Sequence, residues 1–85
     1  MRNLIGSRVR SFRGNQTPRL TQEALARRLQ LAGLRLDRVA VSKIELGYRE
    51  VTDIELAAIA KALGVSAAWL IGETDESATP GTVRK

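Results

Sequence analysis

At 85 residues the chain suits one compact domain with a modest core and leaves no room for a second. It contains neither cysteine nor histidine, which removes disulfides, thiolate metal sites, a thiol nucleophile and the commonest general base; no metal or cofactor is expected, and no constellation for an enzyme can be assembled. The net charge of +5 conceals a basic half, residues 1–49, with eleven Arg or Lys against Glu23, Asp37 and Glu45, and an acidic remainder. That excess reads either as a surface for a polyanion or as a solvated face.

Apolar residues recur at spacings of three and four, so the elements read as helices and the chain as all-α. The first is an amphipathic stretch over residues 3–13, with Ile5, Val9 and Phe12 on one face and Arg8, Arg10 and Arg13 around it. A connection follows, Gly-Asn-Gln-Thr-Pro-Arg, that cannot be regular structure. Four further starts share one signature, a capping residue with an apolar residue just before it and another four positions after. Thr21 lies between Leu20 and Leu25, Asp37 between Leu36 and Val41, Thr52 between Val51 and Leu56, and Ser66 between Val65 and Leu70. Glu55 adds a capping box at Thr52.

Gly14, Gly33, Gly47, Gly64 and Gly72 each follow an apolar-periodic segment and are the expected left-handed stops. The core should gather Ile5, Val9, Leu25, Ala26, Leu29, Val41, Ile44, Leu56, Ile59, Ala60, Leu63, Val65 and Leu70. Trp69 has two readings: it caps the core, or it lies on an exposed patch used for self-association, the second being favoured in a chain so poor in aromatics. The domain is expected over residues 1–72. Residues 73–85, with Val83 as their one large apolar residue, are expected as a flexible tail. No apolar run approaches a membrane span or a signal-peptide core, so a soluble, cytoplasmic protein is expected, and the initial Met1 and polar end suit a complete small protein.

Thr21-Gln22-Glu23-Ala24-Leu25-Ala26, then Val41-Ser42-Lys43-Ile44-Glu45 with Gly47, then Ala62-Leu63-Gly64-Val65-Ser66 and Trp69-Leu70, resemble the Cro and phage-repressor helix-turn-helix family over residues 4–72. The resemblance implies a five-helix bundle whose second and third helices form the DNA-reading unit, matching the helix count from the caps. One departure stands out. Between Leu29 and the start at Asp37 the chain carries about five residues more than the family's tight turn, so the second helix should run on through Ala32, stop at Gly33 and lead into a longer loop through Leu34 and Arg35.

In a helix capped by Asp37, Arg38, Val39, Ser42 and Lys43 point away from the Val41 and Ile44 face and can reach the major groove. The resemblance implies base reading from these positions. Arg38 suits a bidentate contact to guanine O6 and N7, or it is an exposed arginine on a solvated face; Val39 suits a thymine methyl; Lys43 suits a guanine or a phosphate; Ser42 suits the DNA backbone. Gln22, at the first helical position after Thr21, together with the free backbone N–H groups there, makes a phosphate site, and the resemblance implies the same use. Arg49 is expected to touch phosphate, while for Arg27 and Arg28 phosphate contact and simple solvation stand level. For Glu45 the resemblance implies a structural ion pair with Arg13.

The leading expectation is therefore a sequence-specific regulator of double-stranded DNA, a repressor, binding an inverted repeat as a homodimer. The acidic fourth and fifth helices would supply the dimer contact through Trp69, Leu70 and Ile71. The alternative is an antitoxin-like module that masks a toxin partner and binds DNA secondarily. An RNA or single-strand binder should carry more exposed aromatics for base stacking.

Overall fold

Each of the four predicted caps is made. Thr21, Asp37, Thr52 and Ser66 sit in extended backbone, and their side chains accept hydrogen bonds from the N–H groups of Ala24, Ala40, Glu55 and Trp69. These satisfy donors that have no partner inside the helix, at about 1 kcal/mol each. Glu55 reaches back to the Thr52 N–H and closes the capping box. The computed structural model describes residues 1–75 of the chain. In order these form α1 (Gly6–Gly14), α2 (Gln22–Leu31), α3 (Arg38–Glu45), α4 (Asp53–Leu63) and α5 (Ala67–Leu70). The fold is an all-α, five-helix bundle, as expected. Of the tail expected over residues 73–85, residues 76–85 lie outside the described residues.

The first helix starts later than residue 3 because Asn3 is used as a cap from outside. Its Oδ1 accepts from the N–H groups of Ile5 and Gly6 at 3.0 and 2.8 Å, and its Nδ2 donates to the carbonyls of Ile44 and Arg49 at 3.1 and 2.7 Å. One side chain thus fastens the start of α1 to the end of α3. Gly6 makes that approach possible: a Cβ there would collide with the carbonyl oxygen of Ile44 and stand 2.9 Å from that of Glu45. At its other end α1 does not stop on a left-handed glycine. Gly14 is the last helical residue and Asn15 follows in right-handed backbone.

The inserted stretch between α2 and α3 has a definite shape. Helix α2 ends at Leu31, one residue short of the expected Ala32, and Gly33 turns the chain at a φ of 95°. The N–H of Gly33 bonds the Gln30 carbonyl and that of Leu34 bonds the Leu29 carbonyl, both at 3.0 Å, a paired closure that a left-handed residue permits. The chain then drops Leu36 into the core immediately before the Asp37 cap, and the Gln30 side chain donates to the Leu36 carbonyl at 3.3 Å.

The core contains the expected residues with three adjustments. Leu20 and Leu36, the apolar partners just before two caps, are buried, whereas Leu56 is half-buried against the cluster. Fully burying a Leu, Ile or Val contributes roughly 1.5–3 kcal/mol, so these staple residues help hold the helices as well as mark where they begin. Helix α3 packs on α2 and α1, and α4 on α2 and α5.

The expectation for α5 needs correction. Leu70 is fully buried and has no surface to offer a second copy. Trp69 is half-buried, its ring edge-to-face with Phe12 at 5.9 Å between centroids, and the Arg8 guanidinium lies 5.0 Å from the Trp69 ring centre while donating to its carbonyl at 3.0 Å. The side chain expected on a self-association patch thus joins α1 to α5. Ile71 is half-buried beside it.

Candidate nucleic-acid interface

Helix α3 is anchored on one side and open on the other. Val41 and Ile44 are buried, while Arg38, Val39 and Lys43 are exposed and Ser42 is half-buried. A helix with its side chains is about 10–12 Å across and the major groove is about 12 Å wide, so an exposed face of this size fits there. Both ends of α3 are tied. Leu36 and the Asp37 cap hold the start; at the finish the N–H groups of Gly47 and Tyr48 close on the carbonyls of Ile44 and Lys43, and Gly47 in turn accepts from the N–H of Arg2 at 2.8 Å. The face is presented with little freedom left to lose on binding.

Beneath it lies a buried carboxylate. Glu45 accepts from Arg13 Nε at 2.6 Å, from Arg13 Nη2 at 2.9 Å and from Gln22 Nε2 at 2.9 Å, and Arg13 Nη1 donates to the Leu20 carbonyl at 2.9 Å. The side chains of Arg13 and Glu45 are only 11% and 2% exposed. The hydrogen bond to Glu45, opposed by burial, raises the Arg13 pKa, so the guanidinium stays charged. The group joins the end of α1, the start of α2 and the end of α3. It also orients Gln22: one amide N–H is taken by Glu45 and a second donor remains on the same nitrogen.

Among the described residues, some of the cations are engaged and others are free. Arg8, Arg13, Arg28 and Arg49 are engaged with Trp69, Glu45, the Ala62 carbonyl and Glu55 respectively. Arg49 holds Glu55 through two bonds of 2.8 and 3.0 Å, an ion pair that raises the Arg49 pKa and lowers that of Glu55. Its charge is therefore largely neutralised where a phosphate contact was expected. Arg10, Arg19, Arg27, Arg38 and Lys43 make no ion pair among the described residues and are exposed.

Two clefts beside α3 take in the four free arginines, and in the second Glu23 and Asp37 lie among them. A cleft of about 530 Å³ is lined by Arg10, Asn15, Arg19, Gln22, Ser42 and the Arg13–Glu45 pair among others, and one of about 300 Å³ runs past Arg27, Gln30, Asp37, Arg38 and Val39. Sequence reasoning passed over Arg10 and Arg19. The one clue is the connection between α1 and α2, too irregular to bring Arg19 to the cleft it shares with Ser42 without the folded chain.

Taken together, these features define a small helical domain that exposes one anchored helix beside arginines that make no ion pair among the described residues. A family model described as helix-turn-helix matches residues 19–70, which run from just before α2 to the end of α5. The chain belongs to this helix-turn-helix family, of the Cro and phage-repressor type, whose members are DNA-binding regulators. No curated protein and no solved structure gives a significant match. Helix α1 and the Asn3 that precedes it lie ahead of the matched segment, although Arg13 and Gly6 of the helix and the Asn3 side chain all support α3. Among the described residues no helix is long and apolar enough to cross a membrane.

Proposed function

We propose that the protein is a sequence-specific transcriptional repressor of the cytoplasm that binds an inverted-repeat operator in double-stranded DNA as a homodimer. The observation that carries this reading is the pairing of a clamped α3, exposing Arg38, Val39 and Lys43, with clefts on either side lined by unpaired arginines. Arg38 donates twice to a guanine, Val39 meets a thymine methyl, Lys43 reaches a guanine or a phosphate, and Ser42 touches the DNA backbone. Phosphates are held by the spare amide N–H of Gln22 with the first N–H groups of α2, and by Arg10 and Arg19. Arg49, paired with Glu55, contributes little to phosphate and mainly secures the connection from α3 to α4. Repression by occupying the operator needs no surface beyond this one. A single domain makes few base contacts, and two recognition helices one turn of DNA apart, about 34 Å, supply the missing affinity.

The test is enrichment of bound sequences from a randomised duplex pool, followed by Arg38→Ala. An inverted repeat should emerge, and the variant should lose about 1–3 kcal/mol concentrated at one base pair of each half-site. A pool that stays random would leave only non-specific electrostatic attachment and refute the reading.

A further inference from the structure

The surface between the end of α2 and α4 is largely apolar and, among the described residues, uncovered. Leu31 is 85% exposed at the end of α2 and Ile54 70% exposed at the start of α4, and with Ala57, Ala58, Lys61 and Arg28, whose guanidinium donates to the Ala62 carbonyl, they line a groove of about 540 Å³. Large exposed aliphatic side chains gathered in one place mark an interaction surface more often than a solvent face. Leu31 is there because α2 continues past the buried Leu29 before turning at Gly33.

The charges along α4 say what fits. Asp53, Ala57 and Lys61 follow one another at intervals of four, so they form a row on one side of the helix, with Ile54 and Ala58 in the next row. The row is negative at its beginning, small in its middle and positive at its end. A second α4 laid antiparallel about Ala57 brings Asp53 of each helix to Lys61 of the other. The two alanines let the backbones approach, and Ile54 with Leu31 closes over the apolar flanks. The same charges in a parallel arrangement would set like against like. Helix dipoles also favour the antiparallel pair. Helix α3 packs on α1 and α2, and its exposed side chains are not part of the groove.

We propose that this α2–α4 face is where a second copy of the chain docks, in an isologous contact with α4 antiparallel to its partner. The inference rests on the homodimer reading above and replaces the α5 surface as the contact. Sedimentation equilibrium of the full chain, with and without the enriched duplex, tests it through Leu31→Asp, Ile54→Asp and the charge pair Asp53→Lys and Lys61→Asp. The wild type should dimerise, with a melting temperature that rises with protein concentration. Leu31→Asp and Ile54→Asp should each weaken dimerisation at least tenfold while keeping the helical circular dichroism, since both residues are exposed. Each charge reversal alone should weaken it, and the two together should recover it.

Variants at Leu31 and Ile54 that dimerise as the wild type does would overturn the surface and leave the homodimer reading standing. A wild type that stays monomeric on its enriched duplex would overturn both. DNA sequence selection by the Arg38 face is read separately in the enrichment experiment, so its failure is distinguishable from either result.

Discussion

Replacing Glu45 by alanine should unfold this protein more readily than any change on the exposed face of α3. The carboxylate is 2% exposed and receives three hydrogen bonds, two from Arg13 and one from Gln22. Its removal leaves a guanidinium that is itself only 11% exposed without its counter-charge, and breaking a buried pair by deleting one partner costs about 3–5 kcal/mol. A domain of this length has roughly 5–15 kcal/mol in total, and 1 kcal/mol moves its melting temperature by about 4–8 °C. A drop of about 12 °C or more is therefore expected in thermal unfolding followed by circular dichroism. The double variant Arg13→Met with Glu45→Leu should be appreciably more stable than Glu45→Ala, because no buried charge is then left unpaired. DNA binding of Glu45→Ala, measured well below its melting temperature, should weaken no more than the stability does. A melting temperature within about 4 °C of wild type, or lost binding with unchanged melting, would refute a structural role for the pair.

Further outcomes follow from the same geometry. Gly6→Ala places a methyl against the carbonyls of Ile44 and Glu45; by forcing α1 away from α3 it should cost at least the 1–3 kcal/mol typical of overpacking, seen as a lower denaturant midpoint. Because the hydrogen bond from Arg49 holds the Glu55 pKa below the usual glutamate value of about 4.3, the pair's contribution is complete above that pH and is lost as pH falls through the lowered folded value. Glu55→Gln should accordingly flatten the acid limb of melting temperature against pH. Arg10→Ala with Arg19→Ala should reduce the slope of log affinity against log salt by about two per bound subunit, whereas Arg49→Ala should change it by much less than one per subunit; equal slopes for the two variants would contradict the division of cations by their partners.

The helix count, the four capped starts and most of the core could be read from the chain because each depends on residues within four or five positions of one another. A cap acts on the next turn of its own helix, and the staple at Leu36 and Val41 or at Leu20 and Leu25 is a local contact. The resemblance carried Arg13 to Glu45, a pair 32 positions apart that no periodicity would have joined. Other long-range placements were illegible for the same reason. Asn3 and Gly6 look unremarkable until α1 is laid against the end of α3, and Arg19 comes to share a cleft with Ser42 only when the connection after α1 folds back.

What the sequence determined by itself, then, is where helices begin, which faces are apolar and that the cations gather in residues 1–49. The tertiary structure decided which of those cations are free. Arg38 and Arg49 carry the same side chain, yet among the described residues one makes no ion pair on the exposed face of α3 while the other is bound to Glu55 across the start of α4. It also decided that Leu36 belongs to the core and Leu31 to the surface, although both are leucines flanking the same connection. A residue's type and spacing limit its role to a few possibilities, and the choice among them depends on which distant elements pack against it.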